Sequence, residues 1–121
     1  MKPTSKFNIF SAVCITRYAL MKIADKWTIL VLAALSEQPY YFGELKRKIE
    51  CISQKMLTQT LRKLETDGFI ERKVIKGNVT KVSYSLTKLG ISLVEPLQGL
   101  QQWAITNADE LDQHRQVRVI K

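Results

Sequence analysis

The most constraining feature of this chain is the segment from Ile52 to Gly68, which has the periodicity of an amphipathic helix. At about 100° per residue, Leu57, Leu61 and Leu64 fall within one narrow stripe. The opposite stripe contains hydrogen-bond donors and no acidic residue: Lys55, Thr58, Gln59, Arg62 and Thr66. One side of the helix therefore fits a protein core, while the other fits phosphates and base edges.

Charge along the chain also favours an anionic partner. Apolar residues make up 45% of the 121 residues, enough for the core of one domain, and the formal charge is +8. Between Glu44 and Lys81, ten basic minus five acidic residues give +5, whereas residues 95–113 carry acids only. Such a charge indicates nucleic acid first and a membrane surface second. The membrane alternative lacks the exposed large apolar residues on a lysine-rich helix that it requires.

Three further helices are predicted before this segment, over residues 11–17, 21–35 and 42–49. Proline cannot continue the hydrogen-bond ladder, so Pro39 marks the end of the second helix. A tight turn over residues 50–52 then leads into the amphipathic helix described first. The second predicted helix has a buried stripe of Ile23, Trp27, Leu30, Val31, Ala34 and Leu35.

This amphipathic helix is predicted to run over residues 54–66. The Ser53 hydroxyl is its predicted N-cap, and Gly68 is predicted to end it in the left-handed conformation. Two strands follow, residues 69–75 and the alternating stretch 81–86. The loop between them contains Gly77 and Asn78, which tolerate positive φ and predict a β-hairpin.

A last helix is predicted from the Thr87 cap onward, with a kink at Pro96 and a polar tail over residues 113–121. Its apolar stripe is either core or a dimer interface. We favour the interface because a terminal helix in so small a domain has little of its own chain left to pack against. The predicted interface residues are Leu89, Leu93, Leu97, Leu100 and Trp103.

The predicted order of elements is that of a winged helix–turn–helix domain, mainly α-helical with a small β-hairpin. In such domains the second helix of the motif enters the major groove. The hairpin, or wing, then lies against the neighbouring backbone. The predicted DNA-binding residues are Ser53, Gln54, Lys55, Thr58, Gln59 and Arg62 on the helix, and Arg72, Lys76 and Lys81 on the wing.

Several short blocks of this sequence match the pattern of a known family. They are Cys14, Lys26-Trp27-Thr28-Ile29-Leu30, Phe42-x-Glu44-Leu45, Ile52-Ser53-Gln54-Lys55-Met56-Leu57-Thr58, Leu61-x-x-Leu64-Glu65-x-Asp67-Gly68 and Tyr84-Ser85-Leu86-Thr87-x-x-Gly90. Through these blocks the chain resembles the HxlR-type transcriptional regulators, small winged-helix proteins similar in architecture to the MarR group. The resemblance covers about residues 14–103 of a single domain that spans residues 1–121. It implies a homodimeric DNA-binding regulator paired through its terminal helices.

Cys14 and Cys51 are too few for a disulfide-stapled secreted protein, and they raise a redox hypothesis. Cys51 precedes a helix N-cap and has Lys48 and Lys55 near it in sequence, which favours the thiolate. Cys14 lies near Arg17. Some HxlR-type members respond to oxidants or electrophiles through N-terminal cysteines, which implies the same candidate role here. The alternative is that both are small buried apolar residues.

Other chemistry is not indicated. His114 is the only histidine and has no ligand cluster beside it, so we expect no metal, no cofactor and no enzymatic activity. Trp27, Tyr84 and Trp103 either line a small-molecule pocket or belong to the core, and the core is favoured.

We therefore expect a cytoplasmic, homodimeric regulator that binds a roughly palindromic duplex and acts as a repressor. The cysteines add the hypothesis that it responds to oxidants or electrophiles. The alternative is a winged-helix module that binds RNA or a protein partner.

Overall fold

The computed structural model describes residues 7–115 as a mainly helical domain with a small antiparallel sheet, the predicted winged helix–turn–helix. The elements in chain order are α1 (Ile15–Ile23), α2 (Lys26–Leu35), β1 (Tyr40–Tyr41), α3 (Phe42–Lys48), α4 (Gln54–Thr66), β2 (Ile70–Ile75), β3 (Lys81–Leu86), α5 (Lys88–Ile91), α6 (Val94–Thr106) and α7 (Ala108–Arg115). Within these residues, no helix has the length and apolar character needed to cross a membrane.

The first two helices differ from their predicted bounds of residues 11–17 and 21–35. Helix α1 begins at Ile15 and extends to Ile23, and α2 begins only at Lys26. Asp25 is the reason for the break. Its carboxylate accepts hydrogen bonds from the backbone N–H of Thr28 at 3.3 Å and from the Thr28 hydroxyl at 3.1 Å. An aspartate in this extended conformation caps a new helix rather than continuing the previous one.

Helix α2 lies at the centre of the core, but its buried face differs slightly from the predicted stripe. Val31, Ala34 and Leu35 are buried as expected, whereas Leu30 is 42% exposed. Thr28 and Leu32 are buried instead. The buried Thr28 hydroxyl is tolerated because Asp25 accepts its hydrogen bond.

The helix–turn–helix unit consists of α3, a short turn and α4. The backbone N–H of Tyr41 donates to the Glu44 carboxylate at 2.8 Å, which fixes the start of α3. Cys51 adopts φ 72° in the turn, and the Ser53 hydroxyl accepts from the Met56 N–H at 3.0 Å. The predicted bounds of α4 are confirmed, as is its closure at Gly68, which has φ 86°.

The sheet has the strand order β1-β3-β2. The predicted hairpin of β2 and β3 is confirmed, with Arg72 opposite Tyr84 and Ile75 opposite Lys81. Strand β1 was not predicted, because two residues are too short for an alternating pattern. It is formed by pairing with β3, where Tyr40 lies opposite Tyr84.

The single kinked C-terminal helix was a wrong prediction, since this region contains the separate helices α5, α6 and α7. The predicted Thr87 cap is confirmed, as its hydroxyl accepts from the Gly90 N–H at 3.2 Å. The break falls before Val94, so Pro96 lies in the first turn of α6, where its missing N–H costs nothing. Residues 113–115, expected in the tail, belong to α7, and residues 116–121 lie outside the described part of the chain.

Candidate nucleic-acid interface

Helix α4 presents opposite faces to the core and to solvent. Its buried residues are Leu57, Thr60, Leu61 and Leu64. The structure brings most of the predicted helix residues together on the other side, where they line a shallow groove of about 440 Å³. The residues of this recognition groove are Gln54, Lys55, Thr58, Gln59 and Arg62. Ser53 is exposed beside it at the N-terminus of the helix.

The recognition groove is chemically suited to a nucleic acid. An arginine can bind guanine bidentately, and a glutamine can bind adenine in the same way. Ser53 accepts the Met56 N–H as the cap and still has its own hydroxyl hydrogen to donate to a phosphate. No acidic residue lines the groove, so nothing in it repels an approaching polyanion.

The three predicted wing residues do not form one row. Lys76 is exposed in the loop between β2 and β3. Arg72 faces α4, where its Nε lies 3.6 Å from an Oε of Glu65. The Lys81 Nζ lies 5.0 Å from the centroid of the Tyr41 ring. The wing therefore presents one cation at its tip, one towards α4 and one beside β1.

Sequence reasoning missed two residues near this surface. Arg47, interpreted only through its place at the end of a helix, lines a groove of about 480 Å³ with Lys81 between α3 and β3. Glu65 is the acidic partner of Arg72. No local pattern could have found either contact, since each joins residues of elements that meet only in the folded chain.

The predicted dimer stripe is divided by the fold. Leu97 is only 6% exposed and packs in the chain's own core, and Leu93 is partly buried against that core. Leu89, Leu100 and Trp103 are each more than half exposed. At the other end of the chain, no residue of α1 is buried, and several large apolar residues are exposed around it: Phe10, Val13, Ile15, Tyr18, Leu20 and Met21.

The two cysteines lie in different environments. Cys14 is buried at the N-cap of α1, where its Sγ accepts the Arg17 N–H at 3.3 Å and lies 2.7 Å from the Thr16 hydroxyl. Burial raises the pKa of the Cys14 thiol, but the hydrogen bonds from Thr16 and Arg17 and the Arg17 charge together hold the pKa below its ordinary value. Cys51 is exposed.

One expected neighbour of Cys51 is engaged elsewhere. The Lys48 Nζ lies 3.0 Å from a Glu37 Oε, and the Tyr40 hydroxyl donates to the same carboxylate at 2.9 Å. Hydrogen bonds from Lys48 and Tyr40 hold the pKa of Glu37 below its ordinary value, and the partners Glu37 and Tyr40 raise the pKa of Lys48. Lys48 therefore stabilises the junction of α2 and α3.

The three aromatic residues considered for a ligand pocket do not share one. Tyr84 is buried, Trp27 packs partly buried against the core, and Trp103 is exposed on α6. His114 is exposed and lies 3.7 Å from Glu110. Residues 7–115 contain no cluster of histidine, cysteine and carboxylate side chains suited to a metal ion.

Comparisons with known proteins agree with this geometry. The family model described as HxlR-like helix-turn-helix matches residues 22–112. The Escherichia coli K12 protein YtfH, an uncharacterized HTH-type transcriptional regulator, is 38% identical over 104 residues, covering 86% of this chain and 82% of its own length. These relatives are described as transcriptional regulators rather than enzymes.

Solved structures match over most of their length. The putative transcriptional regulator ytfH from Salmonella typhimurium superposes with a TM-score of 0.79 and 33% identity, covering 89% of this chain and 96% of its own. The redox regulator HypR in its reduced form gives a TM-score of 0.75 and 33% identity, covering 81% of this chain and 97% of its own.

Proposed function

Because the chain belongs to the HxlR-like helix-turn-helix family of transcriptional regulators, we propose that it binds a specific, roughly palindromic duplex DNA site as a homodimer and represses transcription there. The observation that carries this proposal is the exposed face of α4. Lysine, glutamine and arginine converge there in one acid-free groove, while the leucines of the same helix anchor it to the core. Rigid attachment is what allows a helix to hold base-reading side chains in register.

A duplex fits this surface better than a single strand does. The donors of the recognition groove lie along one side of a 13-residue helix, and the major groove of B-form DNA admits such a helix. Single-strand binders instead stack bases on exposed aromatic rings. The recognition groove contains no aromatic residue.

The proposal is tested by gel shift of the DNA upstream of the protein's own gene, with random duplex and RNA as competitors. We expect the specific duplex to be retained when random duplex or RNA is present in excess. If RNA competed as well as the specific duplex, the protein would instead be an RNA-binding module. If no duplex were retained, a protein partner would become the better proposal.

Dimerisation is supported by the exposed apolar surfaces at both ends of the domain. Large apolar side chains of α1, α6 and the segment before α1 face solvent in the single chain, although most such surface is normally covered. A second copy would cover it, and it would supply the second recognition helix that a two-fold site requires. We propose repression because occupancy of a promoter by such a dimer is sufficient to exclude other proteins.

Trp103→Ala is expected to weaken the dimer about tenfold to 100-fold, since each dimer would lose two large apolar side chains from its interface. Sedimentation velocity over a dilution series measures the change. Val79→Ala is the control, because Val79 is also an exposed apolar residue but lies in the wing loop. A Trp103→Ala protein that dissociates at the same concentration as the Val79→Ala protein would contradict this interface.

We also propose that the cysteines make DNA binding sensitive to oxidants. The Cys14 thiol has a lowered pKa, so more of it is thiolate, the reactive form, than in an ordinary cysteine. The similarity of the chain to HypR, described as a redox regulator, also supports a response to oxidants. Two thiols would join in a disulfide, and their two electrons and two protons would pass to an oxidant such as a diazene, which becomes a hydrazine.

Diamide is expected to release the wild-type protein from its DNA site, and a thiol reductant is expected to restore binding. Cys14→Ser should abolish this response, because it removes the thiol whose lowered pKa makes it reactive. Cys51→Ser tests whether Cys51 is that partner. Gel shifts before and after diamide provide the measurement, and an unchanged response in both variants would end the redox proposal.

A further inference from the structure

A narrow cleft separates the recognition helix from the wing. It encloses about 250 Å³ between α4 and the strands β2 and β3. Leu61 and Phe42 contribute apolar surface, and the remaining lining is polar. The polar residues of this helix–wing cleft are Thr58, Arg62, Glu65, Arg72 and Tyr84.

Two guanidinium groups converge in the helix–wing cleft from different elements. Arg62 belongs to α4, and Arg72 lies on β2 directly opposite Tyr84 of β3. Burial raises the pKa of the Tyr84 phenol, which is therefore a neutral hydroxyl donor. The phenol and the two guanidinium groups line the same cleft, and together they are suited to an oxyanion.

Glu65 forms an ion pair with one side of the Arg72 guanidinium. Its carboxylate lies 3.6 Å from Nε, on the α4 side of the cleft. A guanidinium has five N–H donors, more than one carboxylate can use, so donors remain for a second anion. The three charged groups, two arginines and one glutamate, sum to +1, so the cleft still attracts an anion.

The helix–wing cleft is continuous with the recognition groove. Thr58 and Arg62 line both of them. An anion bound between Arg62 and Arg72 would therefore lie at the edge of whatever occupies the recognition groove. On the proposed function, that occupant is a DNA duplex, whose backbone carries a phosphate at every nucleotide.

We infer that the helix–wing cleft binds one phosphate of the DNA backbone through Arg62 and Arg72, and that Glu65 is the positioning residue that orients Arg72 for this contact. The inference rests on the proposed function. One phosphate would then tie the helix to the wing and fix the angle at which α4 enters the groove.

The phosphate contact is tested with duplexes that carry a single neutral methylphosphonate at successive positions of one half-site. We expect one position at which the substitution weakens binding of the wild-type protein about tenfold, the usual effect of losing a charge-assisted hydrogen bond. In Arg72→Ala the penalty at that position should shrink, because only Arg62 then contacts the phosphate, while penalties elsewhere remain. If the substitution weakened binding at every position, and Arg72→Ala changed none of these penalties, the inference would be overturned.

The role of Glu65 is tested by a double-mutant cycle with Arg72. If Glu65 orients Arg72, Arg72→Ala should cost less affinity in the Glu65→Gln background than in the wild type, and Glu65→Gln should shrink the same methylphosphonate penalty. If Glu65 acted only as a negative charge near DNA, its removal would strengthen binding to every duplex and leave the cost of Arg72→Ala unchanged, which would overturn the positioning role. Glu71→Gln is the matched control, since Glu71 is an exposed acidic residue directly before Arg72 in β2.

Inorganic phosphate distinguishes the two sources of the anion. Chemical shifts of Arg62 and Arg72 are followed by NMR as phosphate is added to the full chain. Phosphate binding in the cleft without any position-dependent methylphosphonate effect would assign the site to a free anion and overturn the assignment to DNA. A protein that binds no specific duplex at all would instead remove the proposed function, so the two failures are distinguishable.

Discussion

The double variant Lys55→Ala/Arg62→Ala is expected to lose specific DNA binding by about 10³-fold or more while remaining folded. Both side chains are exposed on the acid-free face of α4, so their truncation leaves the buried leucines of the helix in place. A charge-assisted hydrogen bond contributes about 1.5–3 kcal/mol, and a dimer would lose two such contacts in each half-site. Each loss of about 1.4 kcal/mol corresponds to a tenfold change in affinity, so the sum leaves little discrimination of the site.

Fluorescence anisotropy on a labelled operator measures this loss, with a titration of salt as a second readout. With six to ten phosphate contacts, the wild-type affinity should fall by roughly 10³ to 10⁵ between 50 and 200 mM salt. The double variant should show a shallower dependence. Lys88→Ala is the control, because Lys88 is an exposed base on α5, away from the recognition groove. Equal affinity of the double variant and the control would refute the role of α4.

The second large effect is expected at Gly90, in α5. A Cβ there would overlap the Phe69 carbonyl oxygen and lie 3.1 Å from a Leu86 methyl group. The same carbonyl accepts the Thr87 N–H at 3.1 Å, so the backbone cannot move away without breaking that bond. We expect Gly90→Ala to lower the free energy of unfolding by about 3 kcal/mol, because overpacking against backbone is relieved only by distortion.

Urea denaturation of the two alanine variants Gly90→Ala and Gly99→Ala provides a matched comparison. Gly99 lies inside α6, and a Cβ there would meet no atom within 4 Å. Alanine is the better helix former, so Gly99→Ala should raise the free energy of unfolding by about 0.5–1 kcal/mol. A midpoint for Gly90→Ala at or above that of the wild type would show that α5 is not held against Phe69 in solution.

Local patterns were sufficient for α4 and the hairpin. The leucine spacing, the Ser53 cap and the Gly68 closure all act within a few residues, and they gave the correct bounds of α4. The alternation in β3 and the turn residues between the strands did the same for the wing. The split between α1 and α2 was missed because a continuous apolar stripe outweighed the capping signal of Asp25 in the prediction.

Contacts between distant residues were beyond local patterns. Strand β1 exists only through its pairing with β3, in which Tyr40 lies opposite Tyr84, 44 residues further along the chain. Leu97 belongs to the same stripe as Leu100 but packs into the core, because α6 lies against α2 at that point. Gly90 of α5 likewise packs against the backbone of Phe69, a contact between separate segments that no local pattern predicts.

The sequence by itself determined α4, the hairpin and which face of α4 carries only donors, because periodicity, capping and charge are local properties. The tertiary structure alone decided that Arg62, Glu65 and Arg72 surround one cleft, and which leucines of the terminal helices stay exposed. These outcomes depend on how elements pack across long stretches of chain, where one residue's neighbours are set by the whole core rather than by its own segment.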